Sequence, residues 1–349
     1  MAGTSRTVFT RDARSFSAYT AAKAAWWVAN GALVRQITRP TKGQAAKRFA
    51  PTSGPTDSKF LRQAWFEAFR KDAADVAAGL YPVSEAQPAN LTAPFRRILD
   101  FLDDARAVDA RRRRGEGTEA RREADGEAYP SYYRQNFHYQ SGGWFTEESA
   151  RRYETQVEAL FSGAAGPMRR RALSLLAKAW RGRDQRGLRL LDLACGSGSF
   201  LVDLKGAFPR AQVMGLDLSA AYLGEAGRRS GARRVQGMAE RLPFADASLD
   251  GVACIYLFHE LPPKIRPLVA AEIARVLKPG GVLAFADSVQ ADDAPQIARL
   301  LEAFPAFFHE PFYESYQATD LVGLFEGVGL AVQRRDQAFL TKALLFEKS

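Results

Sequence analysis

The stretch LRLLDLACGSGSF at 188–200 limits what this chain can fold into more than any other. An apolar strand pattern runs from Leu188 to Leu193 into a turn holding Gly196 and Gly198, and a helical pattern opens directly after it. Glycines at those positions let the backbone turn tightly and let a ligand approach without interference from a Cβ. The N–H groups that open the following helix can receive a carboxylate or another polar group. Asp192, near the strand's end, offers an acceptor to a positively charged group. Taken alone, a glycine turn after a strand fits many nucleotide-type ligands.

From this stretch onward strands and helices alternate. Strands are predicted at about 188–194, 211–217, 233–236, 249–257 and 281–287, and helices at about 198–207, 219–229, 264–277, 293–303 and 318–327. Two closing strands follow at about 330–336 and 338–347. The alternation predicts an α/β domain in which a parallel sheet carries helices on both faces. Ligands in such sheets bind beyond the carboxyl ends of the strands, at the topological switch point. Asp217 ends the second strand, 21 residues after Gly196. An acid there can accept hydrogen bonds from both hydroxyls of a ribose. To this point an NAD-dependent dehydrogenase fits as well as any other reading.

The next segments separate the alternatives. GMAERLPFADASLD at 237–250 follows the third strand, and IARVLKPGGVL at 273–283 leads into the fifth. In these segments the chain resembles the class I S-adenosylmethionine-dependent methyltransferases, strongly over 188–290 and moderately over the final strands. The resemblance implies a Rossmann-like, seven-stranded, mostly parallel sheet of order 3-2-1-4-5-7-6 with helices on both faces, preceded here by an α-helical N-terminal extension. It implies S-adenosylmethionine as cofactor. Asp192 and the backbone around Ala194, Gly196 and Gly198 would hold the methionine end, Asp217 the ribose, Leu218 one face of the adenine and the backbone of Ala239 its edge. Tyr256, after the fourth strand, joins this set. The family often has an acid where this chain has Met238, which accepts hydrogen bonds poorly; either Glu240 substitutes or Met238 stacks on the ring. The Asn-Pro-Pro-Tyr type motif of amino-group methylation on bases is absent after the fourth strand, where Ile255, Tyr256, Leu257 and Phe258 stand. That favours a small-molecule acceptor over a nucleic acid.

Methyl transfer is an in-line displacement on a good leaving group, so a protein mainly positions and desolvates the nucleophile, with a base where a proton must leave. The chain has three histidines. His259 follows the fourth strand, His309 follows the helix after the fifth, and Asp287 ends the fifth. These three are the expected catalytic groups, with a hydrogen-bonded, loop-fixing histidine as the bland alternative. No recognised ligand spacing supports a metal site. YPSYYRQNFHYQSGGWF at 129–145 is dense in aromatics and amides. It suits a lid over a half-apolar pocket, or else a packed strap joining the flanks to the core. Tyr132, Tyr133, Phe137, His138, Trp144, Tyr153 and Tyr313 are the expected lid and substrate residues. The strap and the segment FHEPFYESY at 308–316 also resemble a bacterial group within the superfamily, and that resemblance supplies no substrate.

The remaining sequence is organised by charge. The net charge is +10, and residues 1–130 hold 22 Lys/Arg against 15 Asp/Glu. A solvated basic face is the plainer reading; a nucleic acid or an anionic membrane surface is the alternative. Residues 1–17 read as loosely ordered. Helices are expected at about 18–38, at about 58–79 capped by Asp57 or Ser58, and after Pro94. Trp26 and Trp27 beside Lys23 and Arg35 could rest on a membrane surface, but no run is long enough to span one. Arg111 to Arg114 read as a solvated linker. Two cysteines, Cys195 and Cys254, exclude a disulfide framework and fit a reducing, cytoplasmic compartment. The expected division is a helical extension at 1–128, a strap with capping helices at 129–187, and the cofactor-binding core at 188–349. The open alternatives are an RNA or DNA methyltransferase using the basic N-terminal part, and a non-catalytic cofactor-binding protein.

Overall fold

The computed structural model describes residues 7–10, 21, 25–26, 50–86, 108–111, 114, 120 and 129–349. Its first elements are β1 (Thr7–Thr10), α1 (Ser58–Ala77), β2 (Val83–Ala86), α2 (Glu147–Leu160) and α3 (Ala165–Ala179). The core continues with β3 (Arg189–Leu193), α4 (Ser199–Ala207), β4 (Gln212–Asp217), α5 (Ala220–Ser230), β5 (Arg233–Gln236), β6 (Leu249–Ile255), α6 (Arg266–Val276) and β7 (Leu277–Ser288). It closes with α7 (Ala298–Phe307), α8 (Tyr313–Gln317), α9 (Leu321–Glu326), β8 (Leu330–Ala338) and β9 (Thr341–Lys348).

β3 to β9 form one sheet in the order β5-β4-β3-β6-β7-β9-β8. Counted from β3, this is the expected order 3-2-1-4-5-7-6. The pairs from β5 through β7 are parallel, and β9 lies antiparallel between β7 and β8. Side chains on a strand alternate between faces, and here both faces are apolar. Leu190, Ala253, Ile255, Val282, Ala284 and Leu345 pack on one side, with Leu176, Trp180 and Leu204 from α3 and α4. Leu191, Leu193, Val252, Cys254, Leu283 and Phe346 pack on the other, with Val269 and Ile273 of α6 and Phe325 of α9. That double burial is why the strands read as continuous apolar runs. β7 begins at Leu277, earlier than the expected 281, because Leu277 already pairs with Leu249 before a register shift.

α1 forms where expected, with Asp57 accepting from Lys59 N and Phe60 N at 2.8 and 3.0 Å. Of the apolar side that the sequence predicts, Phe60, Leu61, Trp65, Phe66, Phe69 and Val76, only Val76 is fully buried. Phe66 is 61% exposed, while Ala68, Asp72, Asp75 and Val76 are buried. The two acids pack against α3, where Arg170 and Arg171 receive them.

Two readings of the N-terminal part change. Thr7–Thr10 is not loose coil but pairs antiparallel with Val83–Ala86. Arg111 is not solvated: it is buried and donates to the Tyr139 carbonyl and the Ser141 hydroxyl, so it fastens the strap. Of the helix expected at 18–38 only residues 21, 25 and 26 are described, all helical, and the helix expected after Pro94 lies outside the described residues. No helix among the described residues is long and apolar enough to cross a membrane.

Candidate functional site

The carboxyl ends of β3, β4 and β6 open into one cleft, walled opposite by the strap. The cleft encloses about 1040 Å³ of space outside protein atoms, its solvent-open mouth included. Backbone conformation there is unusual. Ala194, Gly196 and Gly198 after β3 have φ of 58°, 53° and 84°, and Tyr256 after β6 has φ of 57°. Ala194 and Tyr256 are not glycines, so the sheet holds a disfavoured conformation at the ends of two neighbouring strands, a feature that clusters at ligand sites. At Gly198 a Cβ would also lie 2.6 Å from the Cα of Ala226, so glycine is what lets α4 approach α5.

Asp217 ties this turn to β4. Its two oxygens accept from Gly196 N and Ser219 N, each at 2.8 Å. Burial pushes its pKa up to about 6 even though those N–H groups favour the charge. Asp192 is 1% exposed, and its Oδ2 has no hydrogen-bond partner. Burial, with Asp217 nearby, pushes the Asp192 carboxyl well above the ordinary range. A buried, unpartnered carboxyl oxygen facing a cleft is a costly arrangement that a cationic ligand group would relieve.

The strap supplies aromatic walls: Tyr132, Tyr133, Phe137 and Trp144 line the cleft, joined by Tyr153 of α2. It is pinned in place. The Asn136 amide donates to the Gln140 carbonyl at 2.8 Å, and Gln140 reaches Tyr222 Oη at 2.5 Å. Ser219 donates its hydroxyl to the Trp144 carbonyl, which fastens the strap to the turn after β4. The lid and packed-strap readings therefore meet in one segment, a fixed aromatic wall.

The structure sorts the remaining sequence candidates. Leu218, Ala239, Glu240 and Tyr256 line the cleft; Met238, half-buried between Gly237 and Ala239, does not. Glu240 Oε1 accepts from Tyr132 Oη at 2.7 Å, while its buried Oε2 has no partner. His259 and Asp287 come together, Nδ1 to Oδ1 at 2.6 Å, but both are buried behind the cleft wall. His309 points elsewhere, Nε2 to Gln135 Oε1 at 2.9 Å, with its ring against Tyr139. Tyr313 is buried beside His259 and pairs with Ser288 through their hydroxyls at 2.7 Å.

Sequence reasoning passed over several groups that the cleft contains. Arg169 of α3 holds Glu154 of α2 through two hydrogen bonds of 2.9 and 2.8 Å, and Ser197 donates to the same carboxylate at 2.9 Å. Burial works against charge on Glu154, but Arg169 outweighs it and holds the acid at about 2. Tyr222 of α5 and Glu260 after β6 complete the wall. A charged residue on the apolar face of each helix was the available signal. Among the described residues no group of three or more His, Cys, Asp or Glu side chains could hold a metal ion.

Comparison with known proteins places this geometry among its relatives. The family described as "Methyltransferase domain" matches residues 190–281. A ubiquinone/menaquinone biosynthesis C-methyltransferase of Desulfotalea psychrophila is 30% identical over 207 residues, covering 50% of this chain and 81% of that one. A demethylmenaquinone methyltransferase of Deinococcus radiodurans is 38% identical over 100 residues, 27% of this chain and 41% of that one. A fatty-acid O-methyltransferase of Mycolicibacterium smegmatis is 35% identical over 125 residues, 35% of this chain and 45% of that one. The chain thus spans less than half the length of the latter two relatives.

Proposed function

This chain belongs to the class I S-adenosylmethionine-dependent methyltransferases, and we propose that it methylates a small aromatic or lipophilic acceptor held beneath the strap. Bound S-adenosylmethionine supplies an electrophilic methyl group on a sulfonium. The cleft suits that cation: Glu154, Asp192, Asp217, Glu240 and Glu260 line it against a single guanidinium, Arg169, which is already engaged by Glu154. Asp192 Oδ2 receives the amino end, and the left-handed turn at Gly196 and Gly198 leaves room for it. Asp217 accepts from the ribose, Leu218 packs on the adenine, and the Ala239 backbone meets its edge. Glu240 Oε2 takes the acceptor role at the adenine amino group that Met238 is unable to fill.

The acceptor lies against Tyr133, Phe137, Trp144 and Tyr153. This aromatic wall over the cleft is the observation that carries the reading. Such a wall binds by apolar burial and excludes water from the displacement. Relatives named for quinone precursors and for fatty acids are in keeping with a lipophilic acceptor. His259 with Asp287 and His309 act on the chemistry from behind the wall, by fixing its loops. The same reading divides the chain into an extension at 1–128, a capping segment at 129–187 and the catalytic core at 188–349. Its two free, buried cysteines suit a reducing, cytoplasmic setting.

The test is transfer from methyl-labelled S-adenosylmethionine to three probes: naphthalene-1,4-diol, hexadecanoic acid and bulk tRNA. We expect label in the diol or the acid, lost in Trp144→Ala with cofactor binding retained. Label confined to tRNA, and its salt-dependent retention, would overturn the reading.

A further inference from the structure

Glu260 sits in the short turn Phe258–Glu260 that follows β6, and its side chain lines the cleft. Two imidazoles approach the same oxygen. His138 Nε2 from the strap lies 3.7 Å from Glu260 Oε1, and His259 Nε2 lies 3.8 Å from it. Each ring is anchored through its other nitrogen. His138 Nδ1 meets Glu310 at 2.7 Å, and His259 Nδ1 meets Asp287 at 2.6 Å. Asp287 is itself fixed by Phe258 N and Ser288 N at 2.8 and 2.7 Å. The five side chains thus run Glu310, His138, Glu260, His259, Asp287, and the middle one alone among them borders the cleft.

The arrangement is held against resistance. His138 adopts φ of 56°, a left-handed conformation that a non-glycine residue avoids. Trp144, Phe304 and Phe308 surround its ring edge-on. An imidazole anchored to a carboxylate through Nδ1 presents Nε2–H outward. At 3.7 and 3.8 Å neither ring makes a short hydrogen bond to Glu260. They act as nearby positive charge and leave the carboxylate's lone pairs open to the cleft.

We propose that Glu260 is the catalytic residue that takes the acceptor's proton during methyl transfer, with His138 and His259 as its positioning residues. The proposal rests on the acceptor lying beneath the strap. As the acceptor's X–H bond breaks, an X–C bond forms to the methyl carbon. The C–S bond breaks with its electron pair going to sulfur, and the proton passes to Glu260, which becomes a neutral carboxyl. Positive charge leaves the sulfonium as negative charge leaves Glu260, so the cleft ends with one opposed pair of charges fewer.

The electrostatics agree in direction. Burial works against charge on His138 and His259, but Glu310 with Glu260, and Asp287, outweigh it and hold the rings at about 10 and about 9. Burial pushes Glu260 up, while His138 and His259 pull it back and Glu310 opposes them. Across the cleft Asp217, Tyr133, Tyr153 and Tyr222 face the same charge. A carboxylate whose basicity is raised by burial is the better suited to proton abstraction.

Two variants of the full chain test this, Glu260→Gln and His138→Gln. The first readout needs no acceptor: the carboxyl carbon of Glu260, followed by 13C NMR against pH and assigned through its loss in Glu260→Gln. We expect the Glu260 titration to move to higher pH in His138→Gln, because a neighbouring cation is lost. A Glu260 titration unmoved in His138→Gln, or moved to lower pH, overturns the proposal. The second readout is turnover of naphthalene-1,4-diol with labelled cofactor. Glu260→Gln should lower kcat by at least about 100-fold while S-adenosylhomocysteine affinity stays within about threefold, which also shows that the variant folds. His138→Gln should move the acid limb of the pH profile upward. Glu260→Gln turning over within threefold of wild type overturns the proposal. Should the wild type leave the diol unmethylated, the acceptor reading falls, and Glu260 is then judged on its titration alone.

Discussion

Two clusters of buried charge lie on either side of α3. On the α1 side, Arg170 meets Asp72 at 2.6 Å and Asp203 at 3.2 Å, Arg171 meets Asp75 and Asp336, and Lys71 reaches Asp336 at 2.6 Å. On the cleft side, Asp192 and Glu240 each keep a buried oxygen without a partner, and Glu260 meets its two rings only at long range. Both clusters are built on buried carboxylates. In the first, opposite charges meet, so the desolvation of Arg170 is offset within the protein and the ions dock α1 on the core. In the second they are not matched, and the protein alone bears the cost. Burial without compensation marks where a ligand completes the electrostatics.

The largest expected contrast is in stability. Asp72→Ala leaves Arg170 buried with only Asp203, and should cost roughly 3 kcal/mol or more in urea unfolding. Asp192→Asn removes a carboxyl that has no cationic partner, and should cost less than about 1 kcal/mol or stabilise the free protein. Equal losses in both variants would erase the distinction between the clusters.

Affinity should show the reverse order. Asp217→Ala removes an acceptor for two ribose hydroxyls, each charge-assisted bond contributing about 1.5–3 kcal/mol. S-adenosylmethionine binding should therefore weaken by at least about 100-fold, while Asp72→Ala, in the fraction that stays folded, binds as wild type. Calorimetric titration decides between these outcomes.

How much of this was legible in the sequence divides along the same line. The sheet was readable because alternation and glycine spacing are local. Leu190 and Leu191 face opposite sides whatever else happens, and Asp217 ends its strand by count. The charge clusters were not readable, because they are made where distant helices meet. Arg169, Arg170 and Arg171 look like a basic surface run, yet all three are buried, the first in the cleft and the other two under α1. By position in the sequence His309 is an expected catalytic group and His138 only a lid residue. The strap's left-handed turn brings His138 to Glu260, while His309 joins Gln135. No spacing rule carries that information.

The pH dependence of binding sharpens the comparison further. Asp217 titrates at about 6, and its ionised form is the hydrogen-bond acceptor. Affinity for S-adenosylmethionine should therefore fall as pH drops below about 6, approaching tenfold per unit. Stability of the free protein runs the other way. A carboxyl raised above its ordinary value of about 4 favours folding when protonated, so that contribution is full at acid pH and is lost as pH rises through 6. Asp217→Asn should remove the inflection near pH 6 from both curves. Affinity constant between pH 5 and 7 in the wild type would remove Asp217 from the binding role.

The smallest effect is the most specific. Burial, with Asp217 nearby, favours the protonated form of the Asp192 carboxyl in the free protein. A cofactor ammonium brought to its Oδ2 would stabilise the ionised form and favour loss of that proton. Calorimetry in buffers of different ionisation enthalpy at pH 7 should then report net proton release on binding of S-adenosylmethionine. Asp217 is already about nine-tenths ionised there and contributes little. Asp192→Asn should abolish the release, whereas Asp72→Ala, with its docking partner Arg170 outside the cleft lining, should leave it intact. Binding without proton release in the wild type would mean that Asp192 is satisfied by something other than the cofactor, and would return it to the same class as the acids under α1.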